Sequence, residues 1–231
     1  MLIGSGQLAI VFDSYLNDEK ILIFASGVAN SNCTDSKEFK REEKLLLQAL
    51  SENEHTKFVY FSSCALSAVN YKKNAYYIHK SNMENLVKRH AKNYYIFRIP
   101  QLFGELKKHN TLINFLYDSI KNKKIFQVYD EAYRYVIEIN DVRKIVENYL
   151  NYSRGNCTID IANNYRYKVL EIVYIFEKIL DAKALYEVIH KEDKYVLNLS
   201  ECMQFVNKYN VDVGFGKEYL EVKLRDKIKQ R

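Results

Sequence analysis

Residues 58–104 constrain this chain more than any other stretch. An apolar run ending in Ser62-Ser63-Cys64 leads through a short polar loop into a helical segment. A second apolar run follows and ends Arg98-Ile-Pro-Gln-Leu-Phe-Gly104. The same alternation recurs along the chain, which favours an α/β sheet wound with parallel strands. Strands are expected at residues 20–25, 57–62, 94–99, 125–128 and 158–162. Helical periodicity without breakers marks residues 36–51 and 76–90. Further helices are expected at 141–152, with Asp141 as N-cap, at 168–180, and from Tyr219 to the C-terminus.

Composition limits what such a sheet can do. With 231 residues, 48% hydrophobic and 28% charged, the chain can bury one core, or one core with a small lobe. No apolar run approaches the ~18 residues of a membrane span, and no basic-then-apolar leader precedes the first motif. The expected location is therefore the cytoplasm, with no membrane partner. Cys33, Cys64, Cys157 and Cys202 lack zinc spacing and are expected as thiols, and His55, His79, His90 and His190 lack metal-ligand spacing. No metal is expected. The net charge of +6 suits an anionic small substrate. Its lysines are mixed with acids in short clusters, and the aromatics are not interleaved with them, so nucleic acid is not an expected partner.

Within the 58–104 stretch, Tyr76 and Lys80 stand four residues apart, one helical turn, so a phenol and an ammonium project from one face. A cation beside a phenol favours the phenolate and lowers its pKa from about 10 toward the range of a proton-transfer base. Among 20 tyrosines this spacing arises about twice by chance. It recurs at Tyr117/Lys121, Tyr174/Lys178 and Tyr219/Lys223, where an ordinary helix face with a snorkelling lysine is expected. What sets Tyr76/Lys80 apart is its setting between a hydroxyl-ended strand and a glycine-ended one.

In that order the segments resemble the extended branch of the short-chain dehydrogenase/reductase superfamily, which modifies nucleotide sugars. Phe58-Val-Tyr-Phe-Ser-Ser-Cys64 is similar to the branch's serine-bearing strand, and Tyr76-x-x-x-Lys80 to its catalytic helix. The run from Arg98 to Gly104 is similar to the following strand and turn, with Gln101 where asparagine is usual. Arg134-Tyr-Val resembles a segment whose arginine meets a substrate diphosphate. The resemblance implies an abbreviated Rossmann-like parallel sheet with helices on both faces, covering residues 1–165 with part of the substrate site at 105–140. A small C-terminal substrate lobe at 166–231 would complete it.

The implied activity is an NAD- or NADP-dependent epimerase or reductase acting on a nucleotide-linked sugar in surface-polysaccharide biosynthesis. Tyr76 would exchange a proton with a substrate hydroxyl, beside Lys80, while Ser63 or its neighbour Ser62 bonds the substrate oxygen. Gln101 and Arg134 are the implied substrate contacts, the latter through a bidentate guanidinium. Cys64-Ala65 stands where dehydratases carry Asp-Glu, so dehydration is not expected. Ser-Ser-Cys is instead similar to the epimerase/reductases that make GDP-fucose, in which a cysteine and a histidine exchange protons beside a ketone. Cys64 and His109 would be that pair, although free cysteine is also a common small buried residue. The helices at 36–51 and 76–90 would form the family's homodimer interface.

The N-terminal half departs from the pattern. Gly4-Ser5-Gly6-Gln7-Leu8-Ala9 has the Gly-x-Gly-x-x-Ala form of a dinucleotide loop. Only three residues precede it, where a strand has about five. The expectation is a truncated first strand or an earlier true start. No acidic residue follows about 20 positions on to hold an NAD ribose. The segment found there, Ile21 to Gly27, resembles the later family turn beneath the nicotinamide ribose, at Ala25-Ser26-Gly27. On this reading two strands of the adenosine side are missing, and a non-catalytic nucleotide or nucleotide-sugar binding relative is the alternative.

Overall fold

The structure, a computed structural model, describes residues 1–68, 72–106 and 111–229. In chain order its strands are β1 (Leu2–Ile3), β2 (Ile21–Phe24), β3 (Lys57–Ser63), β4 (Asn93–Ile99), β5 (Gln101–Phe103), β6 (Ile125–Arg134), β7 (Val136–Glu138), β8 (Cys157–Asp160), β9 (Tyr167–Lys168) and β10 (Leu185–Asp193). The α-helices are α1 (Gln7–Ile10), α2 (Ser36–Glu52), α3 (Ala75–His90), α4 (Leu112–Lys121), α5 (Ile139–Tyr152), α6 (Val169–Leu180), α7 (Ser200–Lys208) and α8 (Tyr219–Lys229). The chain divides into two units. One holds Met1–Ile99, Ile139–Ile161 and Leu197–Val211, and the other Pro100–Glu138, Ala162–Val196 and Asp212–Arg231. The sequence boundary at 165/166 lies near one crossing, but residues 100–138 fall in the second unit and 197–211 in the first.

The first unit is built on a sheet of order β1-β2-β3-β4-β8, parallel at every pairing. Residues alternate between faces. Leu22, Phe24, Phe58, Tyr60 and Ile96 point one way, onto Leu46, Ala49 and Leu50 of α2 and Met83 and Val87 of α3. On the other face Phe61 meets Phe97, Phe97 meets Tyr149 of α5, and Tyr149 stacks on Phe205 of α7. The expected helices on both faces are therefore present. Asp35 caps α2 by accepting from Lys37 N at 2.8 Å.

All five expected strands form, and the β6 strand continues well beyond residue 128, to Arg134. The expected N-cap role of Asp141 is a correction. It is the third residue of α5 and is buried, with Lys144 Nζ at 3.5 Å from Oδ1. The preceding strand β7 runs directly into the helix, leaving no loop for a cap to close.

The second unit gathers the strand order β10-β6-β9 and the parallel pair β5-β7. Its core is formed by Ile113, Leu116 and Ile120 of α4, Ile172, Val173 and Phe176 of α6, Phe126 and Val128 of β6, and Leu220 and Leu224 of α8. Strand β10 alternates weakly because it is an exposed edge, which hides it from a period-2 reading.

Candidate active site

Strand β3 supplies the first groups. Alternation puts Ser62 on the same face as Tyr60, toward α2 and α3, and Ser63 on the opposite face. Ser62 Oγ is buried and has no hydrogen-bond partner among the described residues. Ser63 Oγ accepts from Ala65 N at 3.4 Å and caps the 3-10 turn Cys64–Leu66. The unpaired hydroxyl is thus that of Ser62, while Ser63 serves the turn.

Helix α3 supplies the second set. Asn74 caps it, accepting from Tyr77 N at 3.1 Å. Tyr76, His79, Lys80, Met83, Glu84 and Val87 form its buried stripe, spaced three and four apart. Lys80 is only 3% exposed, and its Nζ donates to Glu42 Oε1 at 2.9 Å and to Tyr60 Oη at 3.2 Å. From the Tyr76 ring centroid it stands 5.9 Å away. The other spacings behave differently. Lys121 donates to Tyr117 Oη at 3.2 Å from an exposed position, and Lys178 is taken by Glu221 at 2.7 Å. Helical spacing therefore yields a Tyr–Lys contact at Tyr117/Lys121 as well, and what distinguishes Lys80 is its burial.

Glu42 of α2 is the residue that sequence reasoning missed. It is fully buried and accepts four bonds: Tyr60 Oη at 2.7 Å and Lys80 Nζ at Oε1, with Val28 N at 2.6 Å and His79 Nε2 at 3.0 Å on Oε2. Burial pushes its carboxyl up, but the bond from His79, the charge of Lys80 and the bonds from Val28 and Tyr60 outweigh that and hold it at about 2. Its signal in the sequence is slight. It is an acid on the apolar stripe of α2, at i−4 from Leu46.

This overturns the expected acidity of Tyr76. Burial, then the charge of Glu42 and the neighbouring Tyr77, raise the phenol above its ordinary value instead of lowering it. The first physical reason is burial of the phenol itself, and the second is that Lys80 is paired with the Glu42 carboxylate at hydrogen-bonding distance, which offsets its charge at Tyr76. Burial lowers Lys80 as well, with Glu42 opposing.

The turn after β2 lies against this pair. A Cβ on Gly27 would stand 2.5 Å from Lys80 Nζ and 3.0 Å from Glu42 Oε1, so a side chain there would have to push the ends of this pair aside. Ser26 is touched by Arg41, whose Nη1 donates to its Oγ and Nη2 to its carbonyl, both at 3.4 Å. Ala25 N donates to Ile3 O at 2.7 Å, joining the turn to β1.

The Gly4–Leu8 loop begins the four-residue helix α1, with Gly6 at its N-cap and Gln7 and Leu8 as its first residues. Gly4 has φ +139°, and a Cβ on it would meet Ala25 O at 2.5 Å, so glycine is demanded by the fold itself. Gly6 has φ −77°, which any residue adopts, and a Cβ there meets nothing within 4 Å. Among the described residues nothing requires glycine at that position. The backbone at Gly6 is therefore open to approach, as the Gly-x-Gly-x-x-Ala form of the loop requires for a pyrophosphate. Beyond β1 the sheet has no further strand among the described residues.

Cys64 does not match its expected role. It is fully buried, and its Sγ donates to Arg98 O at 3.1 Å. Burial and then Asp160 push the thiol well above its ordinary value, so it is a poor proton-transfer group. Arg98 grips Glu84 through Nε and Nη2 at 2.8 and 2.7 Å and donates to Ser67 Oγ at 2.8 Å. His109 lies outside the described residues.

The two expected substrate contacts lie in the second unit. Gln101 opens β5, half-buried, its N donating to Tyr135 O at 3.2 Å. Arg134 Nη1 donates to Tyr133 O and Asp193 O, each at 2.8 Å, and Nη2 pairs with the Asp193 carboxylate. A diphosphate would have to displace Asp193 to reach that guanidinium.

No protein-family model matches the chain, and comparison with curated proteins found no match. Solved structures do match. UDP-glucuronic acid 4-epimerase from Bacillus cereus, in complex with UDP-glucuronic acid and NAD, is 15% identical with a TM-score of 0.73, covering 98% of this chain and 79% of that one. dTDP-glucose 4,6-dehydratase from Bacillus anthracis, in complex with NAD, is 12% identical with a TM-score of 0.71, covering 97% and 78%. RMD from Pseudomonas aeruginosa, complexed with NADPH, is 14% identical with a TM-score of 0.73, covering 91% and 80%. The chain has the Rossmann-like fold of these proteins.

Proposed function

We propose that this chain is an NAD(P)-dependent reductase or epimerase of nucleotide-linked sugars, working in the cytoplasm on a precursor of surface polysaccharide. The observation that carries the reading is a buried Lys80 5.9 Å from the centre of the Tyr76 ring on α3, the helix packed against the face of β3 to which alternation assigns the unpaired Ser62 hydroxyl. It is supported by a fold held in common with proteins whose structures contain NAD or NADPH and, in one case, a UDP-sugar.

The cofactor, when bound, supplies or accepts hydride. The loop from Gly4 through Ser5, Gly6, Gln7 and Leu8 would receive its pyrophosphate, and the Ala25-Ser26-Gly27 turn with Tyr76 and Lys80 its nicotinamide end. Ser62 would donate its hydroxyl proton in a hydrogen bond to the substrate oxygen, with Ser63 retained as the turn cap. Tyr76 Oη carries the proton that moves to or from that oxygen. Gln101 and Arg134 are proposed substrate contacts, Arg134 after exchange of Asp193 for phosphate. Cys64 and His109 as an epimerising pair require the thiol to leave its buried bond, so reduction is the better supported half of the reading. A homodimer through α2 and α3 is proposed on the exposed Leu47 and Ile78 of those helices.

A second reading is a nucleotide or nucleotide-sugar binding protein without hydride transfer. Two observations favour it: Lys80 is covered by the protein's own 25–27 turn, and the sheet ends at β1 among the described residues. Titration with NADH and NADPH, followed by fluorescence and thermal shift, separates the two. Saturable binding of either is expected. If neither binds at millimolar concentration, the oxidoreductase reading fails and the binding reading stands.

A further inference from the structure

We propose that Glu42 is a positioning residue of the Tyr76/Lys80 group, and that by neutralising Lys80 it keeps Tyr76 a proton donor, fitting the site to carbonyl substrates. The proposal rests on the oxidoreductase reading for its substrate class, but its core concerns the unliganded protein.

The geometry is that of a lysine whose nearest partner is a carboxylate and not the tyrosine one helical turn away. Glu42 Oε1 lies 2.9 Å from Lys80 Nζ, whereas that Nζ is 5.9 Å from the centre of the Tyr76 ring. The ammonium has a second partner in Tyr60 Oη at 3.2 Å, and Tyr60 itself donates to Glu42 at 2.7 Å. The carboxylate is fixed from its other side by Val28 N and His79 Nε2. Phe39 stacks on His79 at 4.5 Å, which holds the imidazole in place. No rotation of Glu42 could release Lys80 without breaking several of these bonds at once.

The charges facing this cluster come from three elements. Strand β3 contributes Tyr60, α2 contributes Glu42 and Arg41, and α3 contributes Tyr77, His79, Lys80 and Glu84. Glu84 is committed to Arg98 by two bonds, and Arg41 to Ser26 and to Glu38 at 3.2 Å. The ion pair in direct contact next to Tyr76 is therefore Lys80 against Glu42, whose other oxygen meets His79. Under these charges the phenol keeps its proton, the same direction given by its burial.

A protonated phenol suits reduction. Tyr76 Oη would give its proton to the carbonyl oxygen, with the hydride for the carbonyl carbon supplied by a reduced nicotinamide cofactor when bound, so that the C=O π bond is replaced by C–H and O–H bonds. The carbonyl is reduced, the nicotinamide is oxidised, and the phenolate regains its proton from water. In the reverse direction the same residue would have to start as the phenolate, which the Glu42–Lys80 pair disfavours.

The test needs no cofactor. Protein labelled with 13Cζ-tyrosine is titrated by NMR from pH 6 to 11, with Tyr76 assigned by its loss in Tyr76→Phe. Tyr76 should remain un-ionised above pH 10 in the native protein and ionise at least tenfold more readily in Glu42→Gln. Ionisation of native Tyr76 below pH 10 overturns the proposal, and this arm does not depend on the variant folding. Identical titration of Tyr76 in native and folded Glu42→Gln protein overturns it as well. Failure of NADH and NADPH to bind would remove the substrate assignment, and leave the tyrosine titration to decide the role of Glu42.

Discussion

Replacing Glu42 by glutamine should destabilise the protein by about 3–5 kcal/mol at neutral pH, the usual cost of removing one partner from a buried ion pair. The structure says where that cost arises. The carboxylate accepts two bonds on each oxygen, and glutamine retains only one acceptor oxygen. Its amide nitrogen would face Val28 N–H, donor against donor, while Lys80 would lose its counter-ion without gaining water. The pH dependence gives an independent figure. Native Glu42 is held at about 2 against an ordinary 4.5. Because the folded value is the depressed one, the unfolded chain binds the proton more readily. The stabilisation is complete above about pH 4.5 and disappears as pH falls toward 2. At about 1.4 kcal/mol for each tenfold in acidity, it amounts to roughly 3 kcal/mol. Urea unfolding at pH 7, 5, 4 and 3 measures both quantities. Native protein should lose stability across the lower part of that range more steeply than Glu42→Gln. In a double cycle, Glu42→Gln with Lys80→Met should recover part of the single-variant loss. A Glu42→Gln protein within 1 kcal/mol of native at pH 7, with a parallel acid limb, would refute the buried-pair account.

Tyr76→Phe should lower turnover by about 100-fold or more while leaving the melting temperature nearly unchanged, measured by steady-state assay and calorimetry. Gly6→Ala should leave urea stability within about 0.5 kcal/mol yet weaken NADH or NADPH binding, whereas Gly4→Ala should cost more than about 1 kcal/mol through its positive φ and the Ala25 carbonyl. Leu46→Ala, in the core between α2 and the sheet, should cost about 2–5 kcal/mol by chemical denaturation. Native protein treated with iodoacetamide should alkylate at Cys33 well before Cys64 and Cys202, with Cys157, whose thiol burial pushes up to about 11, slower than Cys33, as peptide mapping would read.

The parallel sheet was legible because β2, β3 and β4 are buried apolar runs with helical stretches between them, and residues fully inside a sheet leave their mark in composition. Tyr76 and Lys80 were legible as a pair for the same reason that Tyr117 and Lys121 were: spacing reports which side chains meet. It does not report what a third residue does to them. Glu42 comes from another helix 38 positions from Lys80, and a single acid on an amphipathic helix reads as surface until the packing is known. The partner of Arg134 was hidden similarly, since Asp193 lies 59 residues away and reaches it only through the pairing of β6 with β10. Which serine is unpaired also could not be read from Ser62-Ser63 alone, because it depends on which face of β3 meets α3.

The interleaving of the two units has a consequence for how the polypeptide can be made and cut. The chain alternates between them in six stretches, so neither is a continuous segment. During synthesis β1 to β4 emerge in order, each pairing with its predecessor, and that part of the sheet can grow from the N-terminus as it appears. Strand β8 and helix α7 arrive only after long excursions through the other unit, and until they do one edge of β4 and the face carrying Phe97 lack their partners. A ribosome stalled before residue 157 would therefore hold a sheet with an open edge, the state in which such chains are prone to pair with one another. For the same reason no single truncation yields either unit alone, and fragments intended to isolate one are expected to aggregate.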